Sequence, residues 1–362
     1  MTTGGTETIR LLLERGIRAG SAPGMVAAWQ SRTDQAPSTV AVGRASVNPA
    51  STPSAPETWF DLASLTKPLV VGTLTLLLMR QGAFAPDTAV GEILPETSKS
   101  LLGERLVHQL LTHSSGLPAW EPFYTLTGGK TEDVLEALIG ASIDAPDAHV
   151  VYSCPGFILL GLMIEKLTGQ GLAEIFTQRV VEPLGLGTDI GYCPGLNLPL
   201  AGGAAQPMAE QRLLAERGLE PDHIPAILPG QPDDGNARFL DGAAGNAGLF
   251  GTARGVLALA MVYLGAGEFL TPKEIELATT DHTPGLEQRR GFGWQLAGSP
   301  GCSAGPTLDH SAFGHTGFAG SSLWIDPTRG LAMTLLANRV HPGHRTTDLH
   351  PLRRRFHQLV VD

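Results

Sequence analysis

Phe60-Asp61-Leu62-Ala63-Ser64-Leu65-Thr66-Lys67-Pro68 leads straight into the apolar stretch Leu69 to Met79. Apolar residues recur at helical intervals from Leu65 to Arg80, so the segment predicts a core helix with Ser64 and Lys67 in its opening turn. Side chains three residues apart share one helix face, which sets a hydroxyl beside an amine. Pro68 has no N–H to return to the Ser64 carbonyl, so that turn is expected to be irregular. A serine hydroxyl is a weak nucleophile without a base beside it, and a lysine is a base only when its pKa is lowered. Burial and the positive helix end would both lower it.

Working outward, Ile9, Leu12, Leu13 and Ile17 mark an N-terminal helix, and Gly24 to Gln30 and Val40 to Arg44 read as strands. At the other end, Ser321 to Ile325 and Leu331 to Asn338 read as neighbouring strands joined at Asp326-Pro327. Leu349, Leu352, Phe356 and Leu359 mark a final helix. Helical periods fill the middle at Thr131 to Ile139, Phe157 to Leu167 and Ala253 to Leu264, and strand signals fade there. The expected fold is therefore α/β of the α+β type, in one catalytic unit over residues 1–362. Residues 1–60 and 290–362 build an antiparallel sheet flanked by the terminal helices, and 61–289 form an inserted helical region. Gly202 to Asn236 is the least regular stretch, expected to be a loop along one side of a cleft between the two parts.

The 362 residues include 42% hydrophobic and 17% charged, a globular balance, and the net charge is −10. Only Arg353, Arg354 and Arg355 form a basic run, so no stripe exists to neutralise a phosphate backbone and nucleic acid is not an expected partner. Leu69 to Met79 is too short to span a bilayer, and Met1 to Thr8 lacks the cationic and apolar segments of a secretory leader. Three cysteines at unpatterned spacing suit a reducing compartment, so a cytoplasmic protein without a membrane partner is expected.

Ser64-Leu65-Thr66-Lys67 is joined by Tyr152-Ser153-Cys154 and by His315-Thr316-Gly317. With Leu110 to Pro118, Tyr152 to Phe157 and Gly245 to Phe250, these segments resemble the serine β-lactamase and D-alanyl-D-alanine peptidase family. The likeness is to the branch of class C β-lactamases and family VIII esterases, and it runs in order from about residue 8 to residue 340. It implies that Ser64 is acylated, that Lys67 and Tyr152 transfer the protons, and that the backbone amides of Ser64 and Phe318 form the oxyanion hole. His315, Thr316, Gly317 and Cys154 would contact a small acyl substrate, with no metal or cofactor. A neighbouring ammonium would favour the phenolate of Tyr152, and the sequence leaves open whether Lys67 or Tyr152 is the resting base.

Two positions depart from the pattern. Cys154 stands where lactam- and peptide-cleaving members usually carry Asn, and a thiol cannot reproduce the amide's contacts, which favours esters or a differently held amide, so an esterase or amidase acting on a small acyl substrate is expected. His315 stands where many members carry Lys, so its pull on a substrate carboxylate would fade as pH rises. Asp234 to Arg238, Gly245 to Phe250 and Asn338 to Pro342 also look like a branch associated with muropeptide turnover.

Rival readings exist for several segments. Gly301-Cys302-Ser303-Ala304-Gly305 matches a nucleophile elbow, but Pro300 and Pro306 replace the strand and helix it requires. Cys154 with His149 suggests a thiol nucleophile, against the commoner role of a packed cysteine. His341-Pro342-Gly343-His344 and His310 to His315 lack metal-ligand spacing, and His113 reads as a brace for its own loop. A non-catalytic module that binds peptidoglycan fragments would have no need to keep Ser64, Lys67 and Tyr152 together.

Overall fold

The two ends of the chain meet in the middle of one sheet. In the computed structural model, which describes residues 3–48, 50–219, 224–343 and 345–362, β1 (Gly24–Ser31) pairs antiparallel with β2 (Ser38–Ser46). β3 (Thr52–Pro53) extends that edge. β4 (Phe60–Asp61), β5 (Ile190–Tyr192) and β6 (Leu249–Gly251) form a small separate sheet in the order β4-β6-β5. β7 (Gln295–Leu296), β8 (Phe313–Thr316), β9 (Ser322–Asp326) and β10 (Leu331–Ala337) complete the large sheet. Its order is β3-β2-β1-β10-β9-β8-β7, and Ala27 of β1 sits between Val40 of β2 and Leu335 of β10.

Side-chain alternation divides the core between the two faces of this sheet. Met25, Ala27, Trp29, Trp324, Met333 and Leu335 pack with Ile9, Leu13 and Phe356 from the terminal helices, Thr3–Arg18 and His350–Val361. Val26, Ala28, Leu323, Ile325, Ala332 and Leu336 face the other way, into the helical region. The fold class expected from the sequence is thus the one observed. Both middle strands of the large sheet, β1 and β10, carry residues buried on both faces, so a one-residue slip in register would eject none of the bulk cheaply.

The helical part is centred on the stretch after Ser64. A short 3-10 turn, Ala63–Leu65, passes into a wide π-type segment, Lys67–Gly72, and then the α-helix Thr73–Arg80. The irregularity expected from Pro68 is present as that wide turn. Ala63–Arg80 is as long and apolar as a bilayer span, yet 83% of it is buried inside the protein. Helix Cys154–Thr168 packs nearby, capped by Ser153, whose Oγ accepts from Gly156 N at 3.1 Å. Such a cap is worth about 1 kcal/mol. Gly202 to Asn236 differs from the expected plain loop, since Met208–Ala215 is helical. Residues 220–223 of that stretch, and His344, lie outside the described residues.

Candidate active site

Ser64 is positioned by strain just before it. Ala63 adopts a left-handed backbone, φ 47°, held by its N–H donating to Asp61 Oδ1 at 2.8 Å. A non-glycine residue there costs on the order of 1 kcal/mol, and the surrounding structure must hold it. Asp61 Oδ2 accepts from Asp233 N at 2.8 Å, tying the nucleophile turn to the far wall of the cleft. Burial pushes the Asp61 carboxyl up to about 6 against these two hydrogen bonds.

Ser64, Lys67, Tyr152 and Cys154 converge at one point. Lys67 is fully buried, and its Nζ reaches Ser64 Oγ at 3.1 Å, Asn246 O at 3.0 Å and Cys154 Sγ at 3.5 Å. Three donors meeting three acceptors is the environment of an ammonium. Burial works against that charge, but the interactions with Cys154 and Tyr152, including the phenol's hydrogen bond, outweigh it, and the lysine pKa lies above its ordinary value. The sequence expectation of a lowered lysine pKa is therefore not met, because the acceptors around Nζ more than offset desolvation. Tyr152 likewise is raised, since burial outweighs the pull of Lys67 toward the phenolate. The resting site holds its protons on both groups.

Tyr152 is placed by rings and by backbone. His113 packs 4.6 Å from it, and Phe157 packs 5.0 Å from His113. His113 Nδ1 accepts from Ser153 N at 3.0 Å, and its carbonyl accepts from Val151 N at 2.9 Å. Burial holds this imidazole neutral, its pKa well below the usual value. His113 braces the segment that carries Tyr152, a reach beyond its own loop.

β8 brings the His315-Thr316-Gly317 segment across the Ser64 turn. Gly317 passes so close to the Ser64 turn that a Cβ there would stand 2.4 Å from the Leu62 carbonyl oxygen. Its N–H donates to Ser321 O at 2.7 Å, closing a tight turn with Phe318 at its tip. Gly317→Ala is expected to displace that turn and to lower kcat by about a hundredfold, the scale of one oxyanion donor. Steady-state ester hydrolysis checks this, and a loss under about threefold would show that the turn does not govern the reaction.

This arrangement and its order in the chain can be set against known proteins. The sequence matches the family described as Beta-lactamase over residues 9–358. The chain belongs to the beta-lactamase family. Among relatives of this beta-lactamase-family chain is an N-acetylmuramyl-L-alanine amidase of Bacillus subtilis (strain 168), 30% identical over 306 residues, which are 78% of this chain and 68% of that one. The fold is shared with EstCE1, a hydrolase with promiscuous acyltransferase activity, at a TM-score of 0.75 and 21% identity over 99% of each chain. It is shared equally with a class C beta-lactamase, TM-score 0.75 and 18% identity over 98% of this chain and 96% of that one. The family is one of serine hydrolases with a common fold.

Within this beta-lactamase fold, His315 does not carry the charge expected of it. It is buried, and burial followed by Arg290 and Lys67 drives its pKa well below the usual value. Its Nδ1 donates to Thr316 O at 2.8 Å and its ring lies 5.7 Å from Tyr152. Burial thus favours its neutral form, where a pH-dependent cation was expected, and His315 lines the cavity beside Ser64. Cys154 is held as a thiol, since burial raises its pKa above the usual value.

Two residues of this site were given no role in the sequence. Asn246 supplies the carbonyl that accepts a hydrogen bond from Lys67 Nζ at 3.0 Å. Its loop reaches Lys67 because Gly245 has no Cβ, which would otherwise meet the Phe157 carbonyl oxygen at 2.0 Å. Arg290 lies over the Tyr152 ring at 5.8 Å. The Gly245 to Phe250 resemblance pointed at the first, while nothing in the local pattern marked Arg290 apart from its neighbour Arg289.

The structure places the residues of the rival readings as follows. Ser303 is buried in a turn and accepts from Trp324 Nε1 at 3.0 Å, a core hydrogen bond. His149 is exposed and paired with Glu287, away from Cys154. His341 accepts from Val47 N at 2.8 Å through Nε2 and meets Gly203 O at 2.7 Å through Nδ1. Among the described residues no group of three His, Cys, Asp or Glu is placed to hold a metal ion.

Proposed function

We propose that the protein hydrolyses a small ester through an acyl-Ser64 intermediate, with Lys67 and Tyr152 moving the protons. The observation that carries this is Lys67 Nζ at 3.1 Å from Ser64 Oγ, with the Tyr152 hydroxyl facing both. Loss of one proton from the Lys67–Tyr152 pair creates a base, which takes the Ser64 proton as Oγ attacks the carbonyl carbon. The negative oxygen meets the Ser64 and Phe318 amides at the crossing of β8 over the nucleophile turn. Collapse of the intermediate sends a proton to the leaving oxygen, and water, activated by the same pair, releases the acid.

Cys154 favours esters, because its thiol offers only a weak donor to an amide leaving group. A second reading, amide cleavage in a muropeptide, is supported by the likeness to the amidase of Bacillus subtilis.

The raised pKa values of Lys67 and Tyr152 fix the sign of the pH dependence. The reactive form has lost a proton, so its fraction grows as pH rises toward the lower of the pair's two pKa values. Between pH 7 and 9, kcat/KM for a p-nitrophenyl ester, corrected for background, is expected to climb about tenfold per unit. His113 and His315 are already neutral and add no limb there. A flat profile over that range would mean that the base is already free at neutral pH. Running nitrocefin and a muramyl peptide alongside ranks the three substrate classes.

A further inference from the structure

One carboxylate orients the peptide that joins Leu62 to Ala63. The Ala63 N–H donates to Asp61 Oδ1 at 2.8 Å, and in a planar trans peptide the carbonyl points to the opposite side. That Leu62 carbonyl accepts from Leu65 N at 3.1 Å, and it is the oxygen that leaves Gly317 no room for a Cβ. Ser64 follows Ala63 directly, and Phe318 follows Gly317. Both amides assigned to the oxyanion therefore take their places from this peptide, one along the chain and one across the contact. Thr66 Oγ1 donates to the Ala63 carbonyl at 2.6 Å, whereas the N–H side of the residue is held by Asp61. Asp61 also ties this turn to two neighbours. Its Oδ2 accepts from Asp233 N at 2.8 Å, and its backbone carbonyl accepts from Ser321 Oγ at 3.3 Å, at the far end of the Gly317 turn.

The hold works against local preference. Only glycine takes φ 47° without strain, yet position 63 is alanine, and its methyl packs with Ala204, Ile227, Ala319 and Val340. The carboxylate itself is costly to keep. Burial pushes Asp61 up to about 6 and, with Asp61 beside it, Asp233 up to about 7; Asp234 raises both and Arg238 lowers both. At pH 8 Asp61 is ionised, and each of its oxygens serves one N–H. We propose that Asp61 is a positioning residue of the reaction: by holding the Ala63 N–H it fixes the Leu62–Ala63 peptide and, through it, the two amides that meet the developing negative oxygen. The role rests on the acyl-serine reading, which makes these amides the oxyanion donors. Donors that matter only once the oxygen is negative act on kcat and leave KM in place.

Asparagine has one acceptor oxygen, so Asp61→Asn sets an NH2 against one of the two N–H donors. The test is p-nitrophenyl ester hydrolysis and fluorophosphonate labelling of the full chain at pH 8, on wild type, Asp61→Asn, Ala63→Gly and the double variant. Asp61→Asn is expected to lower kcat and the labelling rate at least about tenfold, with KM moving by less than about threefold. Glycine holds the left-handed backbone unaided, so the same substitution is expected to cost at least about fivefold less when residue 63 is glycine. A charge effect on Lys67 would not be relieved in this way, because glycine restores no charge. A kcat loss under about tenfold, or an equal loss in both backgrounds, would overturn the proposal. An Asp61→Asn chain that folds only with Ala63→Gly supports the hold on the turn, and one that folds in neither background makes Asp61 a structural residue and overturns it. No adduct on Ser64 of the wild type would sink the acyl-serine reading and this proposal together. An adduct on Ser64 that forms as fast in Asp61→Asn would sink the proposal alone.

Discussion

Ser64→Ala is expected to reduce ester turnover by at least roughly 10⁴-fold, the scale on which removal of an activated serine acts. No neighbour can replace it. Cys154 is a thiol whose pKa burial raises, and the thiolate is the form that attacks. Ser303 is committed to Trp324. The substitution removes one acceptor from Lys67 but leaves Asn246 O and Cys154 in place, so the fold is expected to survive with thermal unfolding shifted by no more than a few degrees. A folded Ser64→Ala protein retaining more than about a tenth of wild-type turnover would remove Ser64 from the reaction.

Substitutions in the proton pair form the second large effect. Tyr152→Phe keeps the ring between His113 and His315 and removes only the hydroxyl, while Lys67→Met roughly preserves volume at a fully buried position. Both are expected to slow acylation by at least about a hundredfold, the usual span of general-base catalysis. Lys67→Ala should lose as much activity and also several kcal/mol of stability through the cavity it leaves, which is why the Met variant is the cleaner probe. The two losses should not add, since each residue needs the other to form a base. Burst-phase kinetics on a p-nitrophenyl ester separate acylation from release. A loss of less than about tenfold in either variant takes that residue out of the proton pathway.

What could be read from the sequence follows from the range of the signals involved. Strand alternation in Gly24 to Gln30 and Leu331 to Asn338 is local, so the middle of the sheet was legible, as were the terminal helices. β4, β5 and β6 are two or three residues long and pair across large gaps in sequence, too short for any period to show. β8 was legible only as the His315-Thr316-Gly317 segment. The positions of Ser64 and Lys67 followed from helical spacing, and that of Tyr152 from resemblance. Their protonation did not follow, because it depends on Asn246 and Cys154 arriving at Lys67 from 179 and 87 residues away. The same is true of His315, which reads as a cation in isolation and becomes neutral once buried beside Arg290.

Trapping the covalent intermediate tests the central claim most directly. Intact mass and peptide mapping after mixing wild-type protein with a fluorophosphonate, and separately with a p-nitrophenyl ester under quench, would locate the bond that forms. The account predicts one added group per chain, on the peptide carrying Ser64, absent from Ser64→Ala. A group carried instead by Cys154 or Ser303, or no adduct with either reagent while the ester is still hydrolysed, would contradict it.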